Sequence, residues 1–556
     1  MLAKLSGRLR LPRALPAAAA ARRLLQEKAG GNASAERKKT FGEEDDPSRF
    51  RFTAPLNARK KGRALLEDPL WNKGTAFSAE ERDRLGLRGF LPADIREICE
   101  QRDTFLRQMR QHADDPLRQN LMLQDLHNRN ETLFHRVLMD KIGEIAPLVY
   151  TPTIGRVCQN FSETFQRARG MFFTPEDRGE MGTMMRNWPR AHCQVVVVTD
   201  GSRILGLGDL GANGMGIPVG KLALYCAAGG IAPHRVLPVM LDFGTDNEAL
   251  LNDPAYRGWR QPRLKGDEYF SLVDEFMQAT FAKFPDTLLQ FEDFSSDKAS
   301  TILSRYREAH LCFNDDIQGT GATVLAGVLG ALRQQGKPPE ALRTLKVVVV
   351  GAGSAGIGVA QSLQQAMVQA GATDTEAAAN FFVYDQDGLL GRERLPWNDF
   401  AKEGSTPLTD EQAAFARSDM ADGGTLEATI GEVKPDLILG VSGRKGTISE
   451  AAIRSMCQHV DTPMIFPLSN PTSSAELTAA EAYAWSDGRA IVATGSPFEP
   501  VPVNGQLRYP SQCNNMYIFP GLGLGASVSQ AETVRLRGFY LRSRHTRSDP
   551  ASPLLL

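Results

Sequence analysis

The sequence predicts an α/β protein in which a helical N-terminal region precedes two domains built on parallel sheets. Residues 59–150 are rich in helix formers, and Ser78 followed by Glu81 has the spacing of a capping box at a helix start. Runs of four valines at 195–198 and 347–350 are typical of strands buried on both faces. Other short apolar runs, separated by helix-length segments as in βαβ units, lie at 381–385, 437–439, 464–466 and 491–492.

The composition of the 556 residues is that of an ordinary globular protein, with 42% hydrophobic and 23% charged residues, which excludes a disordered or collagen-like chain. The 64 Lys and Arg residues balance 65 Asp and Glu residues, so no nucleic-acid partner and no membrane partner is expected. The longest late apolar stretch, 516–528, has 13 residues with three glycines, whereas a membrane span needs about 20.

The N-terminus and the cysteines predict the compartment. The first 26 residues contain six basic residues and no acidic one, so residues 1–40 are predicted to be a mitochondrial presequence that directs the protein to the matrix. A plastid transit peptide fits less well because serine is scarce, and an uncleaved arm is a third possibility. The seven cysteines are scattered and form no CxxC pair, which indicates reduced thiols.

A glycine motif follows the second valine run and opens a helical pattern, which is the context of a dinucleotide-binding turn. Gly351 would permit the tight turn, Gly353 would let the backbone approach a pyrophosphate, and Gly356 would let the helix pack on the strand. The region is therefore predicted to be a Rossmann-type, doubly wound domain, the alternative being a simple glycine-rich turn.

Asp385 ends the next strand-like run and is the candidate ligand of a cofactor ribose. It lies further from Gly351 than the usual ~20 residues, which a longer crossover would explain. A carboxylate there would bind the 2′-hydroxyl and repel a 2′-phosphate, so NAD is predicted as the cofactor. The alternatives are a turn aspartate at a strand end and, because Arg392 and Arg394 follow closely, binding of NADP.

Two short segments place acidic residues among Phe and Leu. Glu292 and Asp293 lie in one, and Asp315 and Asp316 in the other. Repulsion among buried carboxylates is costly unless a cation neutralises it, and all-oxygen ligands suit Mg²⁺ or Mn²⁺. The segments therefore predict a metal site, with helix caps and buried salt bridges as the alternative.

A lysine and a tyrosine are candidate proton-transfer groups. Lys221 stands in a glycine-rich approach to an apolar helix, and beside a metal ion in a dry cleft its pKa is expected to fall toward that of a general base. Tyr150 precedes a proline-containing turn and is a candidate proton donor. The alternatives are a structural role for the lysine and a packing role for the tyrosine.

Seven segments together resemble the malic enzyme family over residues 68–530. They begin at Val149 (VYTPT), Thr199 (TDGSRILGLGDLG), Gly216 (GIPVGK), Phe291 (FEDF), Phe313 (FNDDIQGT), Leu468 (LSNPT) and Asn514 (NNMYIFPG). The segment VGAGSAG, with the later Asp385-Gln-Asp-Gly-Leu, is most similar to the plant-type, NAD-linked mitochondrial branch of that family.

The resemblance implies oxidative decarboxylation of (S)-malate to pyruvate and CO₂ with reduction of NAD⁺ and a need for Mg²⁺ or Mn²⁺. It assigns catalytic roles to Lys221 as general base, Tyr150 as general acid and Asp315 as the group that orients the lysine. It assigns the metal to Glu292, Asp293 and Asp316. It assigns the substrate to Arg203, Asn470 and Asn515, and the cofactor to Arg203, Gly351, Gly353, Gly356, Asp385, Asn470 and Asn514.

The predicted organisation has five parts: a presequence at 1–40, a helical N-terminal region at 59–165, a substrate and metal-binding domain at 166–314, an NAD(P)-binding Rossmann domain at 315–513, and a return to the substrate domain at 514–556. The resemblance also implies a homo- or hetero-oligomer, either a dimer or a tetramer.

Two features depart from the family pattern. Arg129 matches one of two arginines at the dimer interface of fumarate-activated animal members, but Phe105 occupies the place of the other, so activation through that pair is not expected. After about residue 531 the chain runs into an arginine-rich tail where the family continues into further helices. A mistranslated or alternatively spliced end would explain the tail, and such a chain is expected to be less stable.

Three other functions stay open from the sequence. They are an NADP-linked malic enzyme, a catalytically silent dinucleotide-binding subunit, and another two-domain dehydrogenase, such as an amino-acid dehydrogenase. The last would not need a metal held by carboxylates, so resistance to EDTA would favour it.

Overall fold

The structure is a computed structural model that describes residues 60–395 and 406–534. Helices precede two parallel sheets, as predicted, so the chain has a mixed α/β fold. The predicted presequence and most of the arginine-rich end lie outside the described residues. No helix among the described residues is long and apolar enough to cross a membrane.

The N-terminal region is helical. Its helices are α1 (Arg63–Leu66), α2 (Ala79–Arg84), α3 (Ile98–Arg110), α4 (Pro116–Arg129), α5 (Glu131–Asp140), α6 (Ile142–Val149), α7 (Thr153–Gln159) and α8 (Phe161–Thr164). The predicted capping box starts α2, where the Glu81 N–H donates to Ser78 Oγ and the Ser78 N–H donates to Glu81 Oε2. Phe105 is buried in the core, and the half-exposed Arg129 pairs with Asp125.

The first sheet has five parallel strands in the order β1-β3-β2-β4-β5. The strands are β1 (Met171–Phe173), β2 (Val195–Thr199), β3 (Val236–Leu241), β4 (Leu288–Phe291) and β5 (Cys312–Asn314). The helices are α9 (Met181–Arg186), α10 (Gly216–Gly229), α11 (Glu248–Asn252), α12 (Gly266–Lys283) and α13 (Ser296–Tyr306). The first valine run forms β2, the central strand, and is buried on both faces as predicted.

The second sheet has seven strands in the order β14-β11-β10-β9-β6-β7-β8, of which only β8 runs antiparallel to its neighbour. The strands are β6 (Val347–Val350), β7 (Phe381–Asp385), β8 (Gly388–Leu389), β9 (Leu437–Gly440), β10 (Met464–Pro467), β11 (Ile491–Thr494) and β14 (Ser511–Gln512). A separate hairpin consists of β12 (Val501–Val503) and β13 (Gln506–Arg508). Every apolar run predicted to be a strand is one.

Helices cover the second sheet. They are α14 (Thr320–Gln334), α15 (Ser354–Gln369), α16 (Asp374–Ala379), α17 (Asp410–Ala413), α18 (Leu426–Val433), α19 (Glu450–Cys457) and α20 (Ala479–Trp485). The chain steps from β6 to β7 on one side and later to β9 on the other, which makes the carboxyl end of β6 a topological switch point. Ligands of open α/β sheets bind at such points.

The last helix among the described residues, α21 (Phe519–Ser529), packs on α10. Glycines allow the close approach: a Cβ on Gly523 would lie 2.4 Å from the Tyr225 ring, and one on Gly229 would lie 2.6 Å from the Pro520 carbonyl oxygen. This packing places the ring of Phe519 beside Lys221 on α10, with the ammonium 4.8 Å from the ring centroid.

We expect a buried histidine on α5 to make the stability of the fold depend on pH. Burial lowers the pKa of His135 from 6.5 to about 4, and its Nδ1–H donates to the Glu131 carbonyl. The unfolded chain binds this proton more readily, so the contribution to stability is present above pH 6.5 and is lost as the pH falls toward 4. Between pH 7.5 and 5 the free energy of unfolding is expected to fall by about 2 kcal/mol on this account.

Denaturant unfolding at both pH values tests this prediction with His135→Phe, which should remove that part of the pH dependence. His112→Phe, just after the end of α3 and outside the core, is the matched control and should leave the pH dependence in place. An unchanged pH dependence in His135→Phe would contradict the prediction.

Candidate active site

A cavity of about 380 Å³ lies at the carboxyl ends of strands from both sheets. Segments that follow β4 and β5 of the first sheet, and β6, β9 and β10 of the second, contribute to its wall. The wall contains these predicted site residues: Tyr150, Arg203, Glu292, Asp293, Asp316, Asn470, Asn514 and Asn515. Parallel strands bring their carboxyl ends to one edge, which is how residues far apart in sequence meet here.

Three carboxylates form a cluster on this wall. Glu292 and Asp293 follow β4, and Asp316 lies in a short π-helix (Asp315–Gly319) that follows β5. One oxygen from each lies within 4.8 Å of the others, and the Asp293 N–H donates to Asp316 Oδ2 at 2.8 Å. Burial, reinforced by the neighbouring carboxylates, raises the pKa of each of the three groups.

The cluster has the chemistry of a divalent cation site. All its ligand atoms are carboxylate oxygens, which Mg²⁺ and Mn²⁺ prefer. Asp293 Oδ2 is buried and has no hydrogen-bond partner among the described residues, and Asp293 holds a left-handed φ of 55°. A buried acceptor without a donor is costly, so a cation fits the place that this oxygen faces.

Lys221 lies behind the cluster, fully buried on α10. Its ammonium pairs with Glu292 at 2.6 Å and, still more closely, with Asp315. Burial acts to lower the pKa of Lys221, but the charges of Asp315 and Glu292 outweigh it and hold the pKa well above its ordinary value. The lowered pKa expected from the sequence applies to a lysine beside a bound metal ion and stays a prediction, since the carboxylates alone have the opposite effect.

Asn515 positions Asp315, the partner of the lysine. Its amide donates to the Asp315 carbonyl at 3.0 Å and to Asp315 Oδ2 at 3.2 Å. The Lys221 ammonium lies 5.7 Å from the centroid of the Tyr150 ring, and burial raises the pKa of Tyr150 well above its ordinary value. The tyrosine therefore keeps its proton at neutral pH.

The glycine motif forms the predicted turn between β6 and α15. Gly351 has a φ of 124°, and a Cβ there would lie 2.6 Å from the Val441 carbonyl oxygen. A Cβ on Gly356 would lie 1.8 Å from the Gly351 carbonyl oxygen, so only glycine allows this helix to pack on the strand. Gly353 caps α15, and the Arg203 guanidinium lies 3.6 Å from the place of its missing Cβ.

Asp385 ends β7 beside this turn, away from the cavity wall. Its Oδ2 accepts from Arg394 at 2.7 Å, and its Oδ1 accepts from the Asp387 N–H at 2.8 Å. Asp385 therefore has the alternative role of a turn aspartate. Each of its carboxylate oxygens still has a lone pair that could accept from a ribose hydroxyl.

The two other asparagines are held by contacts within the wall. Asn470 Oδ1 accepts from Ser496 Oγ, and the Asn514 amide donates to the Gly495 carbonyl at 2.9 Å. Arg203 is exposed to the cavity and contacts the Ser296 hydroxyl.

Sequence analysis missed Glu476. Its buried Oε1 accepts from the Ser442 N–H at 2.8 Å and from Ser469 Oγ at 2.6 Å, so it joins the loops after β9 and β10. Both loops form part of the cavity wall. No sequence signal marks this carboxylate, because its partners are backbone and hydroxyl groups of two loops that belong to no common motif.

Comparison with known proteins agrees with these motifs. Residues 127–307 match the malic enzyme N-terminal domain, and residues 317–545 match the malic enzyme NAD binding domain. The chain is 45% identical over 494 residues to NAD-dependent malic enzyme 2, mitochondrial, of Arabidopsis thaliana, a match covering 86% of this chain and 80% of the relative. The chain belongs to the malic enzyme family. The predicted resemblance is therefore confirmed.

Other malic enzymes are similarly close. The chain is 46% identical over 471 residues to the NADP-dependent malic enzyme of Dictyostelium discoideum, a match covering 84% of this chain and 84% of the relative. It is 44% identical over 502 residues to the NAD-dependent malic enzyme of Aeromonas hydrophila, covering 90% of this chain and 87% of the relative. The similar malic enzymes thus include both NAD-dependent and NADP-dependent ones by name. The match to the NAD binding domain agrees with the Rossmann-type turn after β6.

Proposed function

We propose that this malic enzyme catalyses the oxidative decarboxylation of (S)-malate to pyruvate and CO₂ with reduction of NAD⁺. The observation that supports this most strongly is the buried Lys221–Asp315 pair directly beside the three-carboxylate cluster. The reaction requires a proton acceptor, a cation site and a dinucleotide turn close together, and Lys221 lies directly behind the carboxylates of the cavity wall.

Glu292, Asp293 and Asp316 would hold Mg²⁺ or Mn²⁺. A bound cation supplies Lewis-acid polarisation of the substrate oxygens and offsets the mutual repulsion of the carboxylates. With less negative charge near it, Lys221 would release its own proton more easily than in the cluster alone. We infer that Lys221 serves as the general base when this site is filled.

Two side chains transfer protons in the proposed reaction. The Lys221 amine accepts the proton of the malate C2 hydroxyl, and Asp315, held by Asn515, orients the amine. After CO₂ leaves, the Tyr150 hydroxyl donates a proton to C3 of the enol of pyruvate. The exposed guanidinium of Arg203 binds a substrate carboxylate or the cofactor, and Asn470 orients the substrate.

NAD would lie with its pyrophosphate at Gly351, Gly353 and Gly356 and its adenine ribose at Asp385. Asn514 would border the nicotinamide end. The names of the similar relatives from Arabidopsis and Aeromonas support NAD, and the name from Dictyostelium keeps NADP as the second candidate.

The mitochondrial name of the Arabidopsis relative and the basic N-terminus support a place in the mitochondrial matrix. We also propose a dimer or tetramer, in line with the family resemblance.

Absorbance of the reduced nicotinamide tests the function in the purified chain with malate, Mn²⁺ and either NAD⁺ or NADP⁺. We expect reduction of NAD⁺ that requires both malate and Mn²⁺. Binding of NAD⁺ without its reduction would instead indicate a silent subunit, and reduction that persists in EDTA would indicate another dehydrogenase.

A further inference from the structure

A buried ion-pair network lies at the predicted ribose site. Its centre is Arg394, whose side chain is fully buried. One guanidinium nitrogen donates to Asp385 at 2.7 Å and approaches Asp387 at 3.5 Å, while Nε donates to Asp422 at 2.6 Å. We call these four residues the Arg394 network.

Asp422 anchors the network to the backbone. The oxygen that accepts from Arg394 also accepts from the Gly391 N–H at 2.8 Å. A Cβ on Gly391 would lie 2.5 Å from Asp422 Cβ, so the two segments touch and leave little freedom for the carboxylate. The remaining nitrogen of Arg394 donates to the Leu389 carbonyl at 3.3 Å. Each nitrogen of the guanidinium therefore has a partner.

The network adjoins the dinucleotide turn. β7, which ends in Asp385, pairs in parallel with β6, and the Gly351 N–H donates to the Tyr384 carbonyl at 2.9 Å. A dinucleotide whose pyrophosphate lies at Gly351 would bring its adenine ribose to Asp385.

The charges of the network disfavour a phosphate. Three carboxylates and one guanidinium carry a net charge of −2 (−3 + 1), so a 2′-phosphate on the ribose would be repelled. An arginine close to the ribose commonly binds such a phosphate. The guanidinium of Arg394 instead binds the carboxylates of the network, so none of its nitrogens is left without a partner to bind a phosphate.

We propose that Asp422 is a positioning residue that determines cofactor specificity: it anchors Arg394 against Asp385 and so selects NAD over NADP. The proposal deepens the proposed function and rests on it. The same guanidinium that would serve a 2′-phosphate is kept in a network that instead orders the ribose acceptor.

Asp422→Asn tests the anchor. Asparagine retains an oxygen for the Gly391 N–H but loses the charge that holds Arg394. We expect the ratio of kcat/KM for NADP⁺ to that for NAD⁺ to rise about tenfold, mainly through KM. An unchanged ratio in a folded variant would overturn the proposal.

Matched variants separate anchoring from charge. Asp387→Asn removes one charge from the network but leaves the anchor, so its effect should be clearly smaller, and equal effects would overturn the anchoring role. Asp436 lies at the amino end of β9, whereas the network lies at the carboxyl ends of the strands. Asp436→Asn therefore removes a charge far from the ribose site and should leave the ratio unchanged. Adding Arg394→Gln to Asp422→Asn should abolish the gain for NADP⁺, because the released guanidinium is what would bind the phosphate.

Calorimetry supplies a readout without turnover. The unmodified chain should bind 5′-AMP at least tenfold more tightly than adenosine 2′,5′-bisphosphate, which differs from it by the 2′-phosphate alone. Asp422→Asn should narrow that difference, and equal binding of both ligands by the unmodified chain would overturn the proposal. Asp422→Ser serves the same comparison where Asp422→Asn does not fold. If the unmodified chain binds 5′-AMP but never reduces NAD⁺, the proposed reaction is wrong. The calorimetric comparison then still tests the inference about the ribose site, because it does not depend on turnover.

Discussion

Lys221→Ala is expected to lower kcat for malate-dependent NAD⁺ reduction about 10³-fold, which is within the range for loss of a general base. The physical reason is the position of the amine, which is buried beside Asp315 and the carboxylate cluster. NAD⁺ binding should persist, because Lys221 lies on α10 and the dinucleotide turn begins α15. Steady-state kinetics and calorimetric titration with NAD⁺ measure the two effects.

Loss of an ion pair must be separated from loss of the base in this experiment. Removing one partner of a buried pair typically costs 3–5 kcal/mol, so Lys221→Ala will also unfold more readily, by about that amount. Lys298 is a matched control: it is also buried in the first sheet's domain, but its ammonium pairs with Asp200 at 3.3 Å and not with Glu292 or Asp315. Lys298→Ala should lose stability but keep kcat; a similar loss of kcat in both variants would contradict the assignment.

Asp293→Asn is expected to weaken Mn²⁺ binding at least 100-fold and to reduce kcat/KM by a similar factor at limiting Mn²⁺. Asparagine tolerates the left-handed backbone at this position, so the change removes the charge of the unpartnered oxygen without backbone strain. At 100 times its dissociation constant, a bound ion stabilises the fold by about 2.7 kcal/mol. Thermal unfolding with and without Mn²⁺ therefore reports binding independently of turnover.

The control for this prediction is another buried carboxylate. Burial raises the pKa of Asp242, which follows β3 and accepts from the Trp259 N–H at 2.6 Å, outside the cluster. Asp242→Asn should keep the full rise in Tm on adding Mn²⁺. If Asp293→Asn kept it too, the cluster would not be the cation site.

Local patterns were sufficient for the elements of this fold. The valine runs form β2 and β6 because four consecutive β-branched apolar residues leave neither face of a strand for water. The glycine motif forms the turn after β6 because its spacing reflects steric contacts within one βαβ unit, and Gly356 touches Gly351 directly. Most motifs that mark the family lie at the carboxyl ends of such strands, so their meeting at one cavity follows from a parallel sheet.

The energetic state of the site could not be predicted in the same way. Lys221 meets Asp315 across 94 positions of sequence, and the direction of its pKa depends on how many carboxylates share that space. Glu476 accepts from a backbone N–H of one loop and a hydroxyl of another. Asp422 meets Arg394 where the 423–424 segment bonds to β8, the Leu389 N–H donating to the Gly424 carbonyl. Such contacts leave no periodicity or spacing to detect.

The sequence by itself determined the α/β class, the strands of the two sheets, the dinucleotide turn and the membership of the malic enzyme family. Each of these depends on short-range sterics or on motifs within one segment. The tertiary structure decided the charge environment of Lys221, the unpartnered oxygen of Asp293 and the anchoring of Arg394. Those properties depend on distances between segments, and electrostatic interactions in a buried site change steeply with such distances and with the exclusion of water.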